Sequence, residues 1–191
     1  MVQRGADYER QSRDWYRTPS GPVHALMNII EFDRSICDPC CGDGAMMEVF
    51  RARGHEALGL DIQPMAVPSA HTLDFVRDEF PFEGPLDIVT NPPYGDKRAT
   101  LALAFISRAL EVTKPWNGRV AMLLPVDFDS AKTRTALFKD HPAFAHRVTL
   151  LKRIVWFEPE EGKSSSPAAN STWFVWDWAR HGRAQVHYAS W

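Results

Sequence analysis

Residues 35–61, "SICDPCCGDGAMMEVFRARGHEALGLD", decide the fold of this chain. Residues 35–37 predict a short buried strand, and the turn "DPCCGDG" after it leads into a helical stretch at residues 45–53. Gly54 predicts the end of that helix, and "EALGLD" predicts a second strand. Strand, tight turn, helix and strand in this order predict one βαβ unit.

The rest of the chain continues the alternation of strands and helices. Apolar patterns predict further strands at residues 71–75, 86–90, 119–124, 146–156 and 172–178, and helices at residues 22–31, 98–112 and 130–139. No helix separates the last two strands, so they should form an antiparallel pair. We therefore predict an α/β fold with a mostly parallel seven-stranded sheet, an antiparallel C-terminal strand, and helices on both faces.

Composition favours one soluble domain over residues 1–191, with a polar N-terminal arm at residues 1–20 and a long loop at residues 158–171. The chain is 45% hydrophobic and 24% charged, and it has no apolar run near the ~20 residues that cross a bilayer. Its three cysteines are clustered without distant partners, which is typical of a reducing, cytoplasmic location. We expect no membrane partner. With a net charge of −2, binding to nucleic acid would need a local basic patch.

The first turn carries the features of a ligand site, because open parallel sheets bind ligands at the carboxyl ends of their strands. Gly42 and Gly44 allow close approach to the backbone. The turn lacks the lysine of a phosphate-binding loop and instead contains Asp38 and Asp43, which would repel a pyrophosphate but accept a cationic or zwitterionic nucleoside. Asp61 ends the second strand about 20 residues further on, where nucleotide-binding units place a ribose-binding carboxylate.

Asp74 and Phe75 follow the third predicted strand. Asp74 could accept a hydrogen bond from an adenine amino group, and Phe75 could offer the ring an apolar face. The alternative is that Asp74 only caps the following turn.

Cys37, Cys40 and Cys41 resemble half of a zinc site. A structural zinc needs four ligands, and no second cysteine pair or histidine pair follows. We therefore predict no metal site and interpret these residues as small side chains packed beside the turn.

The segment "NPPY" at residues 91–94 ends the fourth predicted strand with hydrogen-bond acceptors. Two prolines remove two amide donors, which leaves the Asn91 side-chain oxygen and the Pro92 carbonyl facing the crevice, with the ring of Tyr94 nearby. This set suits a planar heterocycle that carries an exocyclic amine. Two acceptors favour a pyramidal nitrogen, whose lone pair can attack an electrophile.

Taken together, "DPCCGDG", "GLDIQP", "LDF" and "NPPY" resemble the motifs of class I S-adenosylmethionine-dependent methyltransferases of the DNA adenine-N6 type. The segment "WYRTPSGPVHALM" is similar to the Thr-Pro segment that contacts the cofactor in many of these enzymes. The resemblance implies a Rossmann-like methyltransferase fold, S-adenosyl-L-methionine as cofactor, and methyl transfer to adenine N6 in DNA.

Carried over residue by residue, the resemblance implies a set of cofactor-binding residues: Thr18, Pro19, Asp38, Pro39, Cys40, Gly42, Gly44, Asp61, Ile62, Asp74, Phe75 and Asn91. The implied catalytic residues are Asn91, Pro92, Pro93 and Tyr94. A target base would have to be flipped out or single-stranded. Basic residues expected to contact phosphates of the nucleic acid are Lys97, Arg98, Lys132, Arg134 and Lys163.

Three alternatives stay open from the sequence. The same pocket would serve an RNA base or a protein glutamine, and the third alternative is a catalytically silent subunit that acts with a partner.

The chain lacks room for the target-recognition region that is usual in related DNA enzymes. Recognition would then come from the arm, the long loop, a homodimer or a separate partner. The tryptophans of "TWFVWDW" predict core packing of an edge strand or a dimer surface rather than base stacking.

Overall fold

The computed structural model describes residues 16–63, 67, 70–94, 99–156 and 170–191. The α-helices are α1 (Ser20–Met27), α2 (Ala45–Ala52) and α3 (Thr100–Thr113). The strands are β1 (Ser35–Asp38), β2 (Ala57–Asp61), β3 (Ala70–Thr72), β4 (Leu86–Thr90), β5 (Arg119–Pro125), β6 (Phe144–Leu150), β7 (Ser171–Asp177) and β8 (Gln185–Ala189). Short 3₁₀ segments lie at Lys114–Trp116, Phe128–Ser130 and Lys132–Leu137. Among these residues, no helix is both long and apolar enough to cross a membrane.

The strands form one sheet in the order β3-β2-β1-β4-β5-β7-β6-β8. Strands β1 to β5 are parallel to one another, and Cys37 on β1 pairs with Leu58 on β2 and Ile88 on β4. Strand β7 is antiparallel to both β5 and β6. The predicted βαβ unit and the predicted antiparallel pair are therefore confirmed.

The sheet has eight strands rather than the seven that the sequence predicts. The additional strand, β8, lies at the sheet edge parallel to β6, and only its last residue, Ala189, is buried. Because an edge strand that faces solvent needs no apolar run, its sequence "QVHYA" carries no clear strand pattern.

Several predicted elements differ from the structure: the helix predicted over residues 22–31 is Ser20–Met27, and the strand predicted over residues 71–75 is Ala70–Thr72. The strand predicted over residues 146–156 ends at Leu150, after which Trp156 packs edge-on against Tyr16 with ring centroids 5.8 Å apart. The helix predicted over residues 130–139 is replaced by 3₁₀ turns. There, the Ser130 and Thr135 hydroxyls each donate a hydrogen bond of 2.6 Å to a backbone carbonyl three residues earlier. Such local bonds compete with α-helix hydrogen bonding.

Apolar side chains cover both faces of the sheet. One cluster packs α1 and α2 against the sheet and includes Phe50 and Trp173, while the other packs α3 and includes Ile106 and Trp176. The two tryptophans lie on opposite faces of β7 and are fully buried, which confirms the predicted core packing. However, β7 is an interior strand, so the expectation of an edge strand is wrong.

Helix α1 is held in place by two tryptophans. The indole N–H of Trp173 donates a 2.9 Å hydrogen bond to the carbonyl of Pro22 in the first turn of the helix. On the same turn, Trp191 approaches Gly21 so closely that a Cβ atom there would lie 2.1 Å from the indole Cδ1 atom. These contacts fix where the chain enters α1, and residues 16–19 lead directly into that entry.

We predict that Trp173→Phe lowers the free energy of unfolding by about 1–3 kcal/mol, because it deletes buried volume and removes the indole hydrogen bond to the Pro22 carbonyl. Urea unfolding measures this change. The matched control is Trp116→Phe, since Trp116 is 43% exposed, and its effect should stay within ~0.5 kcal/mol. Equal effects for the two variants would contradict the anchoring role of Trp173.

Candidate active site

A cleft of about 300 Å³ opens at the carboxyl ends of β1, β2 and β4. Of the predicted cofactor residues, Thr18, Asp38, Cys40, Gly42, Asp61 and Ile62 line it. Asn91 and Pro93, which follow β4, line it as well. The structure therefore brings together residues that lie far apart in the sequence, as expected for the crevice of a parallel sheet.

A buried carboxylate joins the turn after β1 to the end of β4. Asp38, 3% exposed, accepts hydrogen bonds from the Thr90 hydroxyl at 2.7 Å and from the Cys40 backbone N–H at 3.2 Å. The Cys40 sulfur lies 2.9 Å from Thr90 Oγ1 and 3.2 Å from the Asn91 carbonyl oxygen. Because the single hydroxyl hydrogen of Thr90 goes to Asp38, the thiol is the donor on this side, and its one hydrogen is shared between Thr90 Oγ1 and the Asn91 carbonyl. The first turn and the NPPY segment thus share one hydrogen-bond network.

Burial raises the pKa of Asp38 to about 7, and the charge of Asp61 adds to the shift, although the bonds from Thr90 and Cys40 oppose it. Burial also raises the pKa of the Cys41 thiol to about 12 and that of the Cys40 thiol well above its usual value. These cysteines are therefore protonated near neutral pH. A protonated thiol donates hydrogen bonds but is a poor nucleophile and a poor metal ligand.

Asp61 ties the end of β2 to the glycine turn. Its two carboxylate oxygens accept hydrogen bonds from the backbone N–H groups of Gly42 at 3.0 Å and Gln63 at 2.9 Å. Gly42 and Gly44 have φ angles of 52° and 80°, in the left-handed region that favours glycine. Each carboxylate oxygen keeps lone pairs for a further donor, such as a ligand hydroxyl.

One wall of the cleft comes from the segment before α1. Thr18, 6% exposed, accepts a 3.2 Å hydrogen bond from the side-chain Nδ2 of Asn91. Next to it, Arg17 pairs with Asp43 on the glycine turn at 2.6 Å. Arg17 is not among the residues predicted for the site, because nothing in its local sequence distinguishes it from a solvated surface charge.

Two predicted adenine contacts, Asp74 and Phe75, do not line the cleft. Asp74 accepts hydrogen bonds from the backbone N–H groups of Val76 at 3.0 Å and Arg77 at 3.3 Å, which matches the capping alternative. Phe75 is 2% exposed, and its ring packs against Phe105 at a centroid distance of 5.3 Å. Their role towards a cofactor stays a prediction.

The remaining predicted residues of these motifs also lie outside the cleft lining: Pro19, Pro39, Gly44, Pro92 and Tyr94. Gly44 is the N-cap of α2 and has a left-handed conformation, and Pro92 is buried. Tyr94 is half-buried against the core cluster that contains α3. Contacts of Tyr94 and Pro92 with a target base stay predictions.

The predicted phosphate contacts fall into two groups. Lys97, Arg98 and Lys163 lie outside the described residues, as do residues 1–15 of the arm and 157–169 of the long loop. Lys132 is exposed, whereas the Arg134 guanidinium stacks 3.9 Å from the centre of the Phe128 ring and donates a 2.7 Å hydrogen bond to the Phe128 carbonyl. Arg134 therefore packs against Phe128, and of the two described residues only Lys132 is exposed to solvent.

Across the described ranges, no group of three or more histidine, cysteine, aspartate or glutamate side chains is arranged to hold a metal ion.

Comparisons with known proteins give matches only among solved structures. No protein-family model and no curated protein sequence matches this chain. A candidate class I S-adenosylmethionine-dependent methyltransferase from Listeria monocytogenes is 16% identical with a TM-score of 0.57, and the alignment covers 88% of this chain and 62% of that protein. The chain thus spans less than two thirds of that neighbour.

Two further neighbours carry names of RNA methyltransferases. A candidate RNA methyltransferase from Pyrococcus horikoshii is 17% identical with a TM-score of 0.65, and the alignment covers 91% of each chain. The 23S rRNA methyltransferase ErmE is 17% identical with a TM-score of 0.56, and the alignment covers 89% of this chain and 71% of ErmE. At such low identities the matches establish the fold. This chain has the Rossmann-like α/β fold that these methyltransferases share.

We predict that Asp38→Asn flattens the pH dependence of stability. Because the pKa of Asp38 is raised on folding, its stabilising contribution is complete below the unfolded-state pKa of about 3.9 and is lost as the pH rises towards 7. Between pH 4 and 7, wild type should therefore lose more unfolding free energy than Asp38→Asn. Urea unfolding at several pH values measures the difference. The control Asp140→Asn, at an exposed carboxylate outside the cleft, should keep the wild-type slope, and an unchanged slope in Asp38→Asn would contradict the assignment.

Proposed function

We propose that this protein transfers a methyl group from S-adenosyl-L-methionine to the exocyclic N6 amine of adenine in DNA. One observation carries the proposal: the Asn91 carboxamide shares a cleft of about 300 Å³ with the carboxylates of Asp38 and Asp61. An amide acceptor for the amine and two acids for a charged nucleoside thus meet at one edge of the sheet.

The cleft residues fit this cofactor. The acids Asp38 and Asp61 suit the positive groups and the ribose hydroxyls of the cofactor. Ile62, 59% exposed at the cleft, offers an apolar surface to a ring. When bound, S-adenosyl-L-methionine supplies an electrophilic methyl group on a positively charged sulfur, and the sulfur is the leaving group, as a neutral thioether.

The chain itself prepares the amine for attack. The Asn91 Oδ1 atom and the Pro92 carbonyl accept the two amine hydrogens, which favours a pyramidal nitrogen with its lone pair free. Tyr94 stacks on the target ring and fixes its plane. These contacts strengthen as the nitrogen becomes positive, so they stabilise the transition state more than the bound substrate. The proton then leaves to water, which requires no dedicated base.

An RNA base with an exocyclic amine is the second candidate substrate. The names of the Pyrococcus protein and of ErmE favour it, since both are given as RNA methyltransferases. The acceptors at Asn91 and Pro92 would serve either polymer, because they contact the base and not the sugar.

The test incubates the protein and methyl-labelled S-adenosyl-L-methionine with double-stranded DNA, single-stranded DNA or ribosomal RNA, followed by nucleoside mass spectrometry. Labelled N6-methyladenine in DNA supports the proposal. Label in RNA alone supports the second candidate. Absence of label from all three polymers, together with no calorimetric binding of the cofactor, would overturn both.

We predict that Asn91→Ala lowers kcat about 100-fold, as the loss of one positioned transition-state contact does in other enzymes. Cofactor affinity, measured by calorimetry, should change little because the acids of the cleft remain. The matched control is Asn28→Ala, which removes an exposed amide at the end of α1 and should leave kcat at the wild-type value. Near-normal turnover in Asn91→Ala would remove this residue from the catalytic role.

A further inference from the structure

Thr18 contacts the side-chain carboxamide of Asn91 at the wall of the cleft. Its Oγ1 atom accepts a 3.2 Å hydrogen bond from Nδ2 of Asn91, and the residue is 6% exposed. A carboxamide has one end that donates and one that accepts, and a half-turn of its terminal torsion exchanges them. In this structure the donating end contacts Thr18.

The accepting end is left for a ligand. Within the described part of the chain, Oδ1 of Asn91 has no hydrogen-bond partner, and Asn91 lines the cleft. An amine needs an acceptor there, whereas a turned carboxamide would face the amine N–H groups with its own N–H groups. We infer that Thr18 is a positioning residue that keeps Oδ1 of Asn91 towards the target amine. This inference rests on the proposed function.

Thr18 is well placed for this role because it is fixed on both sides. Arg17 pairs with Asp43 at 2.6 Å on the side of the glycine turn. On the other side, Pro19 is extended with φ −66° and ψ 160° and leads into α1, whose Pro22 carbonyl is bonded to Trp173. Thr18 therefore offers Asn91 a partner whose position does not depend on the contact itself.

The role differs from the cofactor contact that the resemblance implies for Thr18. A residue that binds the cofactor changes cofactor affinity when it is replaced, whereas a residue that orients Asn91 changes the chemical step. The two roles therefore separate in a comparison of kcat with the cofactor Kd.

The test compares Thr18→Val, which keeps the shape but loses the acceptor, with Thr18→Ser, which keeps the hydroxyl. Losing one neutral hydrogen bond that orients the transition-state contact should lower kcat of Thr18→Val about tenfold. The cofactor Kd should stay within about twofold, and Thr18→Ser should restore most of the rate. The control Thr149→Val makes the same substitution on β6, outside the cleft, and should have the wild-type kcat and cofactor Kd.

The inference would be overturned if kcat of Thr18→Val were unchanged, or if its cofactor Kd rose by as large a factor as kcat fell. It would also be overturned if Thr18→Ser had the low rate of Thr18→Val.

A second measurement does not require methyl transfer. In ¹⁵N-labelled protein, the Asn91 side-chain N–H signals are assigned by their loss in Asn91→Ala, and their solvent exchange is measured. Exchange should accelerate several-fold in Thr18→Val and stay slow in Thr18→Ser, because only the hydroxyl protects the N–H group. An unchanged exchange rate in Thr18→Val would overturn the inference, whereas an inactive wild type that shows the expected exchange would overturn only the proposed function.

Discussion

The hydrogen bond of 2.7 Å from the Thr90 hydroxyl to the buried carboxylate of Asp38 is the interaction on which the site depends. It joins β1 to β4 at the point where both strands end. A buried carboxylate is costly unless its oxygens are bonded, so Asp38 holds Thr90 and the Cys40 N–H in place. Cys40 in turn contacts the Asn91 carbonyl. The turn that would bind a cofactor and the segment that would bind an amine are therefore joined by hydrogen bonds.

The N-terminal segment completes this unit from outside the sheet. Trp173 lies on an interior strand and bonds to the first turn of α1, so the core itself sets the position of the residues before that helix. Those residues supply Thr18 to Asn91 and Arg17 to the glycine turn. A segment that is polar in sequence thus becomes a wall of the cleft, because aromatic packing elsewhere fixes the helix that follows it.

The acidic character of the cleft and its protonated thiols restrict the chemistry that it can support. Asp61 and the ionised form of Asp38, whose pKa burial raises to about 7, suit a positively charged ligand, and thiols with raised pKa values are poor nucleophiles. The solved methyltransferases of similar structure share the fold at identities of 16–17%. The proposed choice of an adenine amine in DNA comes from the NPPY acceptors and from the motif resemblance.

The sequence by itself determined the βαβ unit, the antiparallel pair of β6 and β7 and the two apolar faces of β7. These features follow from the local spacing of apolar residues, which reflects the side chains that are buried. It also indicated the acids and the amide at the strand ends. Only the tertiary structure decided that an eighth, solvent-facing strand adds to the edge and that Phe75 packs in the core. It alone decided that Asn91 meets Thr18, 73 positions away. Such contacts depend on the order of the strands in the sheet, which no local pattern records.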